Sequence, residues 1–232
     1  NIPMLEHIVE LLKKHNFTEL IIMLYYQPEV ISGYFGDGSM FGVKIEYLKP
    51  DSDLGTAGCV KFTEEKLKER FLVISGDVLT DFDLTQAVKF HEEKNAVATI
   101  VLTRVENPLA YGVVITSKET SKIERFLEKP SWGEVFSDTI NTGIYILEPS
   151  VFEYIPAGKS FDFSKDLYPR LLADDRGLYG YISSGYWKDV GNLDEYRLGH
   201  YDILDGKVSV KINGSKILRK SSEFIVGENV KI

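Results

Sequence analysis

The run RFLVI at residues 70–74 leads into Ser75, Gly76 and Asp77, which puts a carboxylate where a strand gives way to a turn. Phe71 to Ile74 are four consecutive apolar residues, the pattern of a strand buried on both faces, and the chain from Leu84 onward reads as helix. Ligands of open α/β sheets bind just beyond the carboxyl ends of the strands, so Asp77 is placed to hold a metal ion; it is equally placed to form the turn. A second acidic group, Asp81 with Asp83, has the D-x-D form of a glycosyltransferase metal site, but Asp83 stands where it caps the helix at Leu84. His7, His15, His91 and His200 fall on expected helices without metal-ligand spacing and take no role. The glycine-rich stretch GYFGDGSMFG at 33–42 fits neither G-x-G-x-x-G nor G-x-x-x-x-G-K-[ST], and it precedes a strand, so it reads as a helix-to-strand turn.

The elements that must position these residues alternate. Pro3 starts a helix with an apolar stripe at Leu5, Ile8, Val9, Leu11 and Leu12, and ELIIML at 19–24 follows as a buried strand. A helix from Pro28, the strand VKIEYL at 43–48, a helix over about 56–68, the strand at 71–74, the helix capped by Asp83 and the strand AVATIVLT at 96–103 continue the rhythm. This predicts an α/β fold, a Rossmann-like, mostly parallel sheet with helices on both faces. From about 111 the pattern turns to strands at GVVIT, KIERFLEK and NTGIYIL, then a helix near SKDLYPRLL, a strand at LYGYIS and a helix over LDEYRLGHYDIL. The one expected boundary lies near Gly206, giving domains at 1–205 and 206–232. In the tail, Val226, Gly227 and Val230 fit a hexapeptide turn at the start of a left-handed β-helix, with a plain terminal strand as the alternative.

Composition narrows the function classes. The 232 residues are 44% hydrophobic and 27% charged, ordinary for a globular domain. With 27 basic against 35 acidic residues the formal charge is −8, which argues against a nucleic-acid partner. The longest apolar runs, LIIMLYY and AVATIVL, fall well short of the roughly 18 to 20 residues of a membrane span. Cys59 is the single cysteine, so neither an internal disulfide nor a thiolate metal cluster is expected, and with no signal-peptide pattern the cytoplasm is the expected compartment.

Six pieces occur in a telling order: DLGTAG at 53–58, SGDV at 75–78, YGVV at 111–114, FLEKP at 126–130, NTGIYIL at 141–147 and GYWKDVGN at 185–192. Together they resemble the sugar-phosphate nucleotidyltransferases, and most closely the mannose-1-phosphate guanylyltransferase branch, over most of the chain. The resemblance implies transfer of a nucleotidyl group from a nucleoside triphosphate to a sugar 1-phosphate, with GTP and mannose 1-phosphate as the specific pair. It implies Mg²⁺ held by Asp77 and Asp189, with Lys129 neutralising the sugar phosphate and Glu128 accepting from sugar hydroxyls. It further implies that Gly112, Asn141, Thr142 and Gly143 line the sugar pocket. Leu54, Gly55, Thr56, Ala57 and Gly58 would open a helix whose free N–H groups suit a nucleotide, with Gly76 behind them cradling base and ribose. The abundant tyrosines and phenylalanines are expected in the core and the sugar pocket, and a homo-oligomer is expected.

The chain departs from the family pattern in two places. Pro50 and Asp53 stand where the family has a base-reading residue and a proline, and the family's glycine-rich, arginine-containing loop that grips the triphosphate is absent from these residues. The sugar side is therefore expected to be better furnished than the triphosphate side, with poor turnover and exposed apolar surface on ELIIML and RFLVI. Thymidylyl, uridylyl or adenylyl transfer, and a non-catalytic subunit that binds a sugar nucleotide, stand as alternatives.

Overall fold

The computed structural model describes residues 2–128, 130–131, 137–212, 214–219 and 222–226. Helix α1 (Met4–Lys14) follows Pro3 as expected and buries Ile8, Val9, Leu11 and Leu12. Next come strand β1 (Glu19–Met23), helix α2 (Pro28–Phe35), strand β2 (Lys44–Leu48) and helix α3 (Gly55–Phe62). Helix α3 is shorter than its periodicity predicts, because the Thr63 hydroxyl turns back onto the Val60 carbonyl at 2.7 Å and offers the backbone an alternative to another helical turn. Strands β3 (Phe71–Ile74) and β4 (Val78–Thr80) precede α4 (Leu84–Lys94), whose cap is Asp83, accepting from the Gln86 amide at 3.1 Å.

The second half runs β5 (Ala98–Arg104), β6 (Gly112–Thr116), β7 (Ile123–Glu128), β8 (Thr139–Leu147), α5 (Tyr168–Ala173), β9 (Leu178–Ile182), β10 (Trp187–Asp189) and α6 (Leu193–Leu204). The main sheet has six strands in the order β7-β6-β8-β5-β9, with β3 also paired to β8. Strands β3, β5, β6 and β9 share one direction, and β7 and β8 oppose it. The α/β architecture is thus as expected, with β8 threaded antiparallel through its middle.

Alternation along the strands divides the core between two faces. Ala98, Ile100, Leu102, Tyr145 and Leu147 face α3 and α5, whereas Val101, Ile144 and Ile146 face α1 and α4. Each fully buried aliphatic side chain contributes about 1.5–3 kcal/mol of transfer free energy, so both faces anchor the sheet. The strand β1 pairs in parallel with β2, and among the described residues neither β1 nor β3 has a ladder partner on its other edge. Leu20 to Met23 and Leu72 to Ile74 are half-buried there.

Past Gly206, Val208 still packs on Leu79 and Ile203. Strands β11 (Ser215–Arg219) and β12 (Ser222–Val226) then form an antiparallel hairpin. Of the predicted hexapeptide turn, Gly227 and Val230 lie outside the described residues.

Candidate active site

Two acidic strand ends meet first. Strands β4 and β10 form a three-residue antiparallel ladder in which Trp187 faces Thr80, Lys188 faces Leu79 and Asp189 faces Val78. The Val190 amide extends it by donating to the Asp77 carbonyl at 2.9 Å. Facing Cα atoms in such ladders are roughly 4.5–5.5 Å apart, so the backbones carrying the Asp77 and Asp189 carboxylates are neighbours. Asp77 is exposed and Asp189 is half-buried, with its Oδ1 only 3.4 Å from where a Cβ on Gly191 would lie. Among the described residues no group of three or more metal-ligating side chains gathers. A pair suits Mg²⁺, which takes one or two carboxylates together with substrate phosphates and waters.

The NTG motif sits at a kink in β8. The register between β5 and β8 shifts between Val101 and Leu102, so that the ladder pairing skips Thr142 and Gly143. Such bulges re-aim side chains beside active sites. At Gly143 φ is +76°, and a Cβ there would lie 2.7 Å from the Ser75 Oγ, so only glycine fits against the SGD turn. The Ser75 amide donates to the Gly143 carbonyl at 3.0 Å, which ties the kink to the turn that presents Asp77. Asn141 accepts from the Gly143 amide at 3.1 Å and donates to the Tyr145 hydroxyl at 3.0 Å. Burial pushes the Tyr145 phenol up to about 12, keeping it neutral.

Thr142 differs from its expected role. It is buried, and its hydroxyl donates to the Val101 carbonyl at 2.7 Å, so the side chain belongs to the sheet and not to a pocket wall. Its carbonyl instead accepts from the Trp187 indole at 3.0 Å. Gly112 and Glu128 face each other across the β6–β7 ladder, and a Cβ on Gly112 would lie 2.9 Å from the Glu128 Oε2. The absent side chain is what lets the Glu128 carboxylate lie over the β6 backbone. Lys129, the next residue, lies outside the described residues.

The start of α3 also corrects the expectation of free amides. The Ala57 and Gly58 amides both donate to the Phe161 carbonyl at 2.9 Å, and the Gly55 amide donates to the Asp53 carboxylate at 2.9 Å. A Cβ on Gly55 would lie 2.8 Å from the Phe161 oxygen and one on Gly58 2.7 Å from the Lys159 oxygen. These glycines therefore serve close packing against residues 159–161, with Leu54 buried beneath them and the Thr56 hydroxyl donating to Asp162 at 2.8 Å. Gly76 has open space around its α-carbon, consistent with a position that a ligand approaches.

Two aromatic residues escaped the sequence reading. Tyr111 and Trp187 meet edge-to-face with ring centroids 5.4 Å apart, joining β10 to the loop before β6. Burial, and then the nearby Asp189 carboxylate, raise the Tyr111 phenol. Both residues lie inside recognised motifs, YGVV and YWKD, but aromatic type alone points to the core as readily as to a site. The D-x-D pair is structural: Asp83 caps α4, and both oxygens of Asp81 accept backbone amides.

Residues 1–206 match the family model described as nucleotidyl transferase. The chain belongs to the nucleotidyl transferase family. A UTP–glucose-1-phosphate uridylyltransferase of Synechocystis is 38% identical over 93% of the chain and 59% of its own length. A probable mannose-1-phosphate guanylyltransferase of rice is 36% identical over 94% of the chain and 62% of its own length. The chain spans about six-tenths of the length of the curated relatives it matches. Among solved structures, a putative glucose-1-phosphate thymidylyltransferase from Bacillus anthracis superposes with a TM-score of 0.76 at 26% identity, covering 86% of this chain and 81% of that one.

Proposed function

We propose that the chain carries the substrate-handling core of a sugar-1-phosphate nucleotidyltransferase and that its reaction is GTP plus mannose 1-phosphate giving GDP-mannose and pyrophosphate. The observation that carries this reading is the β4–β10 ladder, which sets Asp189 beside Asp77 next to the kink of β8. The choice of guanylyl transfer is supported by the relatives named as mannose-1-phosphate guanylyltransferases, including one from Mycobacterium tuberculosis at 35% identity.

In the reaction a phosphate oxygen of the sugar 1-phosphate attacks the α-phosphorus of the triphosphate. The new P–O bond forms as the bond to the β-phosphate oxygen breaks, and pyrophosphate leaves with that electron pair. Catalysis of this kind is positioning plus neutralisation of phosphate charge. Asp77 and Asp189 would hold Mg²⁺, which when bound supplies positive charge at the phosphate oxygens. Glu128 would accept from sugar hydroxyls, Asn141 and the Gly112 backbone would orient the sugar, and Lys129 would neutralise the sugar phosphate as a point charge. Gly76 leaves room for the nucleotide against the SGD turn.

The Synechocystis relative supports a second reading, UTP with glucose 1-phosphate. Pyrophosphate release across a panel of four nucleoside triphosphates and of hexose 1-phosphates tests both. Preference for GTP with mannose 1-phosphate is the expected result. Preference for UTP with glucose 1-phosphate replaces it with the second reading, and sugar-nucleotide binding without any pyrophosphate release points to a regulatory subunit.

A further inference from the structure

Asp81, set aside above as a metal ligand, holds two distant parts of the chain at once. Its Oδ1 accepts the Tyr186 amide at 2.8 Å, and its Oδ2 accepts the Ser209 amide at 2.8 Å. Tyr186 is the residue before β10, and Ser209 follows α6, so one carboxylate closes both ends of the segment that carries Asp189. Around this contact the Thr80 hydroxyl donates to the Tyr186 carbonyl at 2.7 Å, and the Asp81 amide donates to the same carbonyl at 3.3 Å.

Two features show that the neighbourhood is shaped for this carboxylate. Gly185 has φ +124°, and a Cβ on it would lie 2.8 Å from the Asp81 Oδ1, so glycine is what keeps the oxygen in place. Tyr186 is gripped from the far side as well, its hydroxyl donating to Asp202 at 2.7 Å, while Lys207 and Lys188 pair with that same carboxylate.

We propose that Asp81 is a positioning residue for the Asp77–Asp189 pair. The β4–β10 ladder is only three residues long, and an isolated two-stranded pair of that size is marginal in water. Bonds from amides to a carboxylate are roughly twice as strong as neutral ones, so Asp81 supplies the restraint that the short ladder lacks. With Tyr186 and Ser209 held, β10 keeps the register that puts Asp189 opposite Val78 and beside Asp77. This inference rests on the proposed metal role of the pair, and its test separates the two.

The experiment measures Mn²⁺ binding by electron paramagnetic resonance on the whole chain, with hydrogen exchange at the amides of 186–190 as an independent readout. Asp81→Ala is expected to weaken Mn²⁺ binding about 10- to 100-fold, the usual loss when support for a metal ligand is removed, and to speed exchange at those amides. Asp81→Asn, which keeps one acceptor oxygen, is expected to fall between. Asp83→Ala is the control two residues away: it removes the cap of α4 and lowers Tm but leaves Mn²⁺ affinity and β10 exchange unchanged. Wild-type Mn²⁺ affinity and exchange in a folded Asp81→Ala protein, or equal losses in Asp83→Ala, would overturn the proposal. If Asp81→Ala does not fold, Asp81→Asn and Gly185→Ala carry the same comparison. Unchanged Mn²⁺ binding in Asp189→Ala would overturn the metal role of the pair instead, and the exchange data would still decide whether Asp81 holds β10.

Discussion

Asp189 stands opposite Val78 across an antiparallel ladder, and the amide that follows it donates to the carbonyl of Asp77 at 2.9 Å. Two acidic motifs far apart in the chain thereby present their carboxylates from adjoining backbone positions.

Replacing either aspartate by alanine is expected to lower turnover by about 100- to 1000-fold, the usual effect of removing one preorganised electrostatic group. Pyrophosphate release measures it. The double variant is expected to lose little more than either single one, because the two act as a unit. Strictly multiplicative losses would show that they act separately.

Gly112→Ala is expected to raise KM for the sugar 1-phosphate while leaving that for the nucleoside triphosphate unchanged. The added Cβ would lie 2.9 Å from both the Glu128 Oε2 and the Phe126 ring, so the carboxylate must move. Displacements of about 1 Å near reacting groups can cost up to about 100-fold in rate. Equal effects on both substrates would place Glu128 away from the sugar.

Lys129→Ala is expected to weaken sugar 1-phosphate binding more than nucleotide binding, as read by calorimetry, on the proposed role of its charge at the sugar phosphate. Lys129→Arg should restore part of the loss through the retained charge. Identical losses for both ligands would assign the residue a structural role.

Stability is expected to fall on acidification. Burial holds the His91 imidazole below its ordinary value of 6.5, with Glu148, just after β8, and Arg70, just before β3, also acting on it. The unfolded chain then binds that proton more readily, so the contribution of His91 is full above pH 6.5 and is lost as pH falls toward the lowered folded value. Burial also lowers His7 and His15, with the same sign. For Glu148, burial acts upward but the bonds from Arg70 and His91 outweigh it, so its contribution is lost in the more acidic range below 4.5. Tm should therefore be lower at pH 5.5 than at pH 7.5, and His91→Gln should shrink that difference. An unchanged pH profile in His91→Gln would remove the buried imidazole from this account.

The sequence by itself determined the elements whose information is local. Apolar spacing placed α1, unbroken apolar runs placed β3 and β5, and Asp83 marked the start of α4, because a periodic stripe or a capping side chain acts within a turn or two of its own position. The ordered motifs likewise marked the family to which the chain belongs. Tertiary structure alone decided how those residues are used. Strands β4 and β10 are too short to show a period and exist because they pair with each other. Thr142 turned into the sheet because a bulge rotates β8 at that point, and the bulge is a mismatch of register with β5. The amides at the start of α3 were spent on Phe161, a residue of a distant loop, so its glycines mark close packing rather than open donors. In each case the deciding partner lies far along the chain, and a hydrogen bond between distant residues leaves no trace in the spacing of either one.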